Sequence, residues 1–287
     1  MTGAIPKIAI VTDTDASLPR ALASRYRIWQ VPIMVQFGDE SLRAVYDLDD
    51  ATAFARIALE GRLPTTAAPT PGQFVETFRE AFDQGAEQVL CFTVSSKVSA
   101  TWQAAQTARD LLPQRDITVI DTRSLSMGQG LMVLAAAEAV AAGASVPEAV
   151  AAATRTREHT SLYAALATLK YLAMSGRIGS LTARMAEALH VCPILSLQDG
   201  ELVMLEKTRT RKKAWARLIA RVQQRAAGKH VQRVAFIHAA APEAMREFES
   251  RLCRVVPCPA ERIYAEMTPG LSLHAGAGLV GVALVAE

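Results

Sequence analysis

Gln88-Val89-Leu90-Cys91-Phe92-Thr93-Val94-Ser95-Ser96-Lys97-Val98-Ser99-Ala100-Thr101-Trp102 passes from a short apolar run into hydroxyls and one lysine, then into Ala- and Gln-rich sequence. An apolar run of this length reads as a strand buried on both faces, and the residues after it read as a helix. Ser95 and Ser96 are thereby delivered to a helix N-terminus. The first N–H groups of a helix lack intrahelical partners and its dipole favours negative charge, so such a place suits a carboxylate or a phosphate. The same hydroxyls also serve as ordinary caps, and this stretch alone does not separate the two uses.

Working outward, Lys7 to Val11 is a β-branched run that ends in Thr12-Asp13-Thr14-Asp15, and Ser17-Leu18-Pro19 opens a helix. Ile28 to Phe37 reads as a second strand, and Asp49 to Glu60 as an amphipathic helix closed by Gly61. Leu63 to Gly72 holds three prolines and a run of hydroxyls, which forbid helix or central strand and predict an ordered, extended loop. Helix is expected over Phe74 to Gln84, Ala100 to Leu112 and Ser124 to Ala142, and strand over Ile117 to Ile120. Alternating helices and wholly apolar strands imply a parallel sheet covered on both faces, with ligands at the carboxyl ends of its strands. Those ends carry Thr12 and Asp13, Ser95 and Ser96, and Asp121, so Thr12 and Asp13 are expected on the rim of a cleft.

The second half differs in texture. Val146 to Glu158 is helical, Ser175-Gly176-Arg177-Ile178-Gly179-Ser180 is a helix stop and restart, and Asp199-Gly200 joins two strands as a hairpin. Helices over Lys212 to Ala226 and Pro242 to Cys253 alternate with strands over Val231 to Ile237, Ile263 to Met267 and Gly278 to Ala286. The fold class expected is α/β: a parallel-sheet N-terminal domain over 1–157, a mixed α+β C-terminal domain over 158–287, and a ligand cleft between them.

Composition narrows the function. The 287 residues are 51% hydrophobic and 21% charged, as in ordinary globular proteins, and a net charge of +3 gives no general affinity for polyanions. Four cysteines without a CxxC pair predict reduced thiols in a cytosol, and no signal peptide or membrane span is read. There is no P-loop, no GxGxxG after the first strand, no GxSxG and no HExxH. Ser96, His274 and Asp13 can be drawn as a hydrolase triad, but nothing in the sequence positions them as one. Thr268 to Gly278 sets His274 among small residues: either a close-packed turn, or a place where the backbone nears a ligand and the imidazole binds an anionic head. Lys207 to Arg225 concentrates basic residues without an acid, as a solvated helix face or as a docking patch for an acidic partner or for phosphate. No recognition motif accompanies it, so nucleic acid is not the expected partner.

Several motifs in order resemble the DegV family of bacterial fatty-acid-binding proteins, the class that includes the FakB subunits of fatty acid kinase. They are Ile10-Val11-Thr12-Asp13, Pro64-Thr65-Thr66 with Pro69 and Pro71, Ser95 to Thr101, Ser175-Gly176-Arg177-Ile178, Asp199-Gly200, Glu206 to Lys213, and His274-Ala275-Gly276-Ala277-Gly278. The resemblance implies one long-chain fatty acid as ligand, no cofactor, and no catalysis by this chain. It places the acid's carboxylate at Thr65, Thr66, Ser95, Ser96 and His274. It further implies an ATP-dependent, FakA-like fatty acid kinase subunit as partner, with Arg177, Arg209, Lys212 and Lys213 as candidates for contacting that kinase or the acyl phosphate; transient membrane contact is allowed for. An acyl- or phosphoryl-transferring enzyme with Ser96 as nucleophile is the competing expectation. The sequence departs from the family pattern at Ala67-Ala68, Ala100 to Trp102 and Thr14-Asp15, near the expected ligand.

Overall fold

The computed structural model describes residues 7–176 and 191–287. Its first half runs β1 (Ile8–Asp13), a 3-10 turn (Thr14–Ala16), α1 (Arg20–Arg25), β2 (Trp29–Val31), β3 (Met34–Phe37), β4 (Glu40–Arg43), α2 (Asp50–Glu60), β5 (Thr65–Ala67), α3 (Pro71–Asp83), β6 (Gln88–Thr93), α4 (Thr101–Asp110), β7 (Asp116–Asp121), α5 (Ser126–Ala141) and α6 (Val146–His159). The second runs β8 (Thr160–Ala165), α7 (Lys170–Ser175), β9 (Cys192–Gln198), β10 (Glu201–Thr208), α8 (Arg211–Ala226), β11 (Val231–His238), α9 (Pro242–Leu252), β12 (Ile263–Glu266), α10 (Pro269–Ala275) and β13 (Val280–Ala286).

The expected α/β class holds. A parallel sheet of order β2-β1-β6-β7 faces a mixed sheet of order β10-β9-β8-β13-β11-β12, in which only the β11–β12 pair is parallel. Strand alternation explains why both sheets read as apolar throughout. On β6, Leu90 and Phe92 face the central core with Ile8 and Ile10 of β1, while Val89 and Cys91 face α3 and α4 with Ala9 and Val11. On β13, Ala283 and Val285 face that same central core, and Val280, Val282 and Leu284 face α8 and α9.

Between the sheets lies α5, buried around its whole circumference through Met127, Leu131, Met132, Val133 and Leu134, with Gln129 a buried polar exception. A third, small antiparallel sheet of order β4-β3-β5 packs with α2 and α10 around Val35, Phe37, Leu48 and Leu273.

The structure differs from the expected elements at four places. Ile28 to Phe37 is two strands in two sheets, β2 and β3, parted at Pro32, which has no N–H to give a ladder; the next N–H, on Ile33, is taken by Thr14 Oγ1 at 3.0 Å. The Pro-rich loop contains an edge strand, β5, and Pro71 opens α3 behind a Thr70–Gln73 capping box. The segment around His274 is a helix, α10, started by Pro269 and ended at Gly276 with φ +81°, rather than a glycine turn. Finally, Cys253 and Cys258, expected as thiols, form a disulfide: the chain turns back after α9 and brings their Cα atoms to 5.4 Å. Cys91 and Cys192 remain thiols.

Phe92 is fully buried in the shared central core. Phe92→Ala is expected to lower unfolding free energy by ~3–5 kcal/mol, measured by urea denaturation.

Candidate functional site

The carboxyl end of β1 is a closed polar knot. Asp13 Oδ1 accepts from Asp15 N at 3.0 Å and from Gln129 Nε2 at 3.2 Å, and Oδ2 accepts from Val94 N at 2.7 Å. Gln129 Nε2 also donates to Thr12 Oγ1 at 2.9 Å. Burial raises the Asp13 carboxyl to a pKa of about 6, against the pull of those donors. Thr12 and Asp13 are wholly buried, so they do not form the cleft rim expected of them. They tie β1 to the end of β6 and to α5.

Ser95 and Ser96 occupy the end of β6, and their hydroxyls are already engaged. Ser95 Oγ donates to the Gly200 carbonyl at 2.7 Å, and Ser96 Oγ donates to Asp121 Oδ2 at 2.6 Å. Gly200 has φ +85°, and a Cβ there would stand 2.6 Å from Ser95 Oγ, so the Asp-Gly turn of the β9–β10 hairpin seats directly on the serine. Arg123 braces the contact through Asp121 at 2.9 Å and the Asp199 carbonyl at 3.4 Å. The helix expected from Ala100 starts at Thr101, where Ser99 Oγ, not Ser95 or Ser96, accepts from the Thr101 N–H at 3.3 Å. With Ser96 on Asp121 and Asp13 in its knot, the hydrogen bonds of the drawn triad are not made.

The apolar cavity lies next to this junction, between the mixed sheet and the segments that follow the strands of the parallel sheet. The centre of a water-sized sphere can move through about 120 Å³ of it. Its walls are largely aliphatic: Ile33, Leu125, Leu162, Leu166, Leu195, Ile237, Met267 and Leu271 among them. Thr66 and His274, 208 residues apart, meet on it with Thr66 Oγ1 and His274 Nε2 2.7 Å apart. Asp15, Ser99, Ser126 and Ser196 supply its other polar groups. Thr65 is exposed on β5 beside Thr66, and neither it nor Ser95 nor Ser96 is part of the lining. Ser99 is visible in the sequence only as one more hydroxyl after the strand. Asp15 is visible in the sequence only as an added charge after Asp13, and Ser126 carries no local signal, because its place depends on how α5 packs.

His274 is placed by the seating of α10. Thr268 Oγ1 donates to the Thr14 carbonyl at 3.0 Å, and Ser272 Oγ donates to Asp50 Oδ1 at 2.6 Å. Gly270 lies against the 3-10 turn, where a Cβ would stand 2.2 Å from Asp15 Oδ1 and 3.0 Å from Ile33 Cγ2. Burial raises the Asp50 carboxyl to about 7, with Glu266 and Asp49 adding to the rise.

The basic run is not one open face. Glu206 pairs with Arg217 at 3.0 Å and Arg221 at 3.5 Å, and Arg225 Nε donates to Ser161 Oγ at 2.8 Å. Arg209, Lys212 and Lys213 are exposed around the start of α8, away from the cavity lining, with no ion pair among the described residues. Arg177 lies outside the described residues.

A pH dependence follows from Asp50. Its ordinary pKa is 3.8 and its folded value is about 7, so between these the folded chain holds a proton that the unfolded chain has lost, and stability falls as pH rises. Asp13 acts in the same direction but only up to about 6. Urea midpoints of wild type and Asp50→Asn at pH 5 and pH 8 check this: the fall from pH 5 to pH 8 is expected to be smaller in the variant.

The DegV family model, described as a family of uncharacterised proteins, matches residues 7–287. A DegV domain-containing protein of Streptomyces coelicolor is 38% identical over 276 residues, covering 96% of this chain and 97% of that protein. One from Mycobacterium tuberculosis is 35% identical over 278 residues, with 96% of each covered. Among solved structures, a fatty-acid-binding DegV family protein from Thermus thermophilus superposes with a TM-score of 0.90 at 29% identity, over 98% of this chain and 99% of its own. DegV of Bacillus subtilis, described as a fatty acid binding protein, gives 0.88 at 27% identity over 98% and 99%. With a family match over nearly its whole length and relatives of this similarity, the chain belongs to the DegV family.

Proposed function

We propose that this protein binds one long-chain fatty acid, with the alkyl tail in the apolar cavity and the carboxylate at Thr66 and His274, and presents that carboxylate to a separate ATP-dependent kinase for conversion to an acyl phosphate. The observation that carries the reading is the Thr66–His274 contact, a small polar pair set in an otherwise aliphatic wall. A tail buried there gains ~0.8 kcal/mol per methylene, so the head needs only correct hydrogen bonding. The fatty-acid binding described for the Thermus and Bacillus relatives supports the ligand class.

Ser99 and Ser126, on the same cavity, are the further hydroxyls within this site. Ser95 and Ser96 act one step removed in this reading: they hold the hairpin and the β6 end that enclose the ligand. The alternative with Ser96 as nucleophile would need its hydroxyl released from Asp121 and turned toward a cavity it does not line. ATP and its chemistry belong to the partner, and Arg209, Lys212 and Lys213 form the surface offered to it.

Native mass spectrometry of gently purified protein is expected to find an intact, non-covalently held long-chain acid. Thr66→Ala and His274→Ala are expected to weaken retention by ~10- to 100-fold, the loss of one charge-assisted hydrogen bond, while Ser96→Ala changes it by no more than a few-fold. An empty cavity in the wild type, or acyl attached to Ser96, overturns the proposal. Separately, Arg209→Glu with Lys212→Glu should leave retention intact and lower acyl phosphate formation by an added kinase subunit at least tenfold. Unchanged formation removes this surface from the partner contact.

A further inference from the structure

Cavities, charged clusters and buried polar groups elsewhere in the molecule point to one place where two spaces share a wall. Leu162, Ala164 and Leu166 of β8 and the residue after it alternate along the apolar cavity, so that cavity follows the strand for roughly 13 Å at ~3.3 Å per residue. The Leu166 end leads into α7, which packs on α10, the helix of His274. Leu162 therefore lies at the end remote from the polar pair. Midway, Ala164 is registered with Gly281, and both line the cavity; their small size leaves the passage open.

Beyond Leu162 the character of the space changes. Leu162, Ser196 and Leu197 also line a second and roomier cavity, in which a water-sized sphere's centre has about 680 Å³. Its other walls carry Arg123, Arg157 and Arg221, together with Glu158 and Asp199. Arg221 pairs with Glu206 through Nη2 at 3.5 Å, but its Nε is buried there without a hydrogen-bond partner among the described residues, and Arg157 makes no ion pair among them. An alkyl terminus gains nothing by entering such a space.

We infer that Leu162 is the specificity-determining end wall of the acyl cavity: it limits the length of the chain that is bound and separates it from the arginine-bearing space. This rests on the fatty-acid reading. The Leu162 side chain is the wall that shortening removes, whereas Leu197 and Ser196 belong to β9, where the Ser196 hydroxyl is spent on the Leu162 carbonyl at 2.8 Å. With the wall removed, a longer chain extends past β8, and a chain ending in a second carboxylate reaches Arg221.

The experiment is a series of equilibrium binding measurements with saturated monocarboxylic acids of increasing length and one long α,ω-dicarboxylic acid, on wild type, Leu162→Ala and Leu162→Phe. The expected result is an affinity optimum that moves to longer chains in Leu162→Ala and to shorter chains in Leu162→Phe, with at least a tenfold gain for the dicarboxylic acid in Leu162→Ala. Wild-type binding with one length profile common to all three proteins overturns this inference alone. Absence of binding of any acid by the wild type overturns the fatty-acid reading and this inference with it. Should Leu162→Ala fail to fold, the shift or constancy of the Leu162→Phe profile decides the matter.

Discussion

Burial of α5 on all sides is the constraint on which the architecture depends. A helix with Met127, Leu131, Met132, Val133 and Leu134 buried cannot be satisfied by one sheet, because one sheet covers one stripe. The parallel sheet covers one side through Ile10 and Phe92, and the mixed sheet covers another through Ala283 and Val285. A single central core is therefore shared by both halves of the chain. The cavity opens where that core gives way toward α7 and α10, and Leu166, Leu172, Ile237, Leu195 and Leu279 belong both to the core and to the cavity wall. Packing that holds the protein together and packing that forms the hollow are the same residues.

Two sheets that meet across a helix also need polar registration at their edges, since apolar contact alone sets no direction. Asp13 supplies it on one side: a carboxylate receiving the N–H groups of Val94 and Asp15 fixes where β1 ends relative to β6. Ser95 supplies it across the halves by holding the Gly200 carbonyl, a contact that works only because residue 200 has no Cβ. Burial pushes the Asp13 carboxyl up to about 6 even against the hydrogen bonds that hold it down, so desolvation is the larger effect in this knot.

Much of this was legible in the sequence. The apolar run into Ser95 and Ser96 marks a buried central strand, Asp199-Gly200 marks a hairpin, and Ala-rich sequence after Ser124 marks the buried helix. Each rests on local periodicity or turn chemistry, which the chain carries within a few residues. The candidate site was legible only in part. Thr66 and His274 were singled out and lie together on the cavity. Ser95 and Ser96 look like ligand hydroxyls because a strand end is a common ligand position, but Ser95 is taken by a hairpin 105 residues away and Ser96 by Asp121 at the end of β7. Thr12 and Asp13 were expected on the rim for the same reason, and a glutamine on α5 draws them inside. The Cys253–Cys258 disulfide was missed because spacing rules describe frameworks and metal sites, not one turn following a helix.

The placement of His274 depends on the least self-sufficient element of the fold. Seven residues are too few for a helix to persist in water on its own propensity, so α10 takes its form from what surrounds it. Thr268 fastens its start to the 3-10 turn, Gly270 allows that turn to come close, and Ser272 fastens its far face to α2 through Asp50. Two segments from the first sixty residues, the 3-10 turn and α2, thus set the angle of an imidazole near the end of the chain. Its hydroxyl partner, Thr66, arrives on an edge strand whose one ladder partner among the described residues is β3. A polar pair assembled in this way is precise while the small sheet, α2 and the 3-10 turn are in place, and none of its geometry survives the displacement of any one of them. That is the physical reason a hydroxyl and an imidazole with no sequence proximity can act as one unit on an apolar wall.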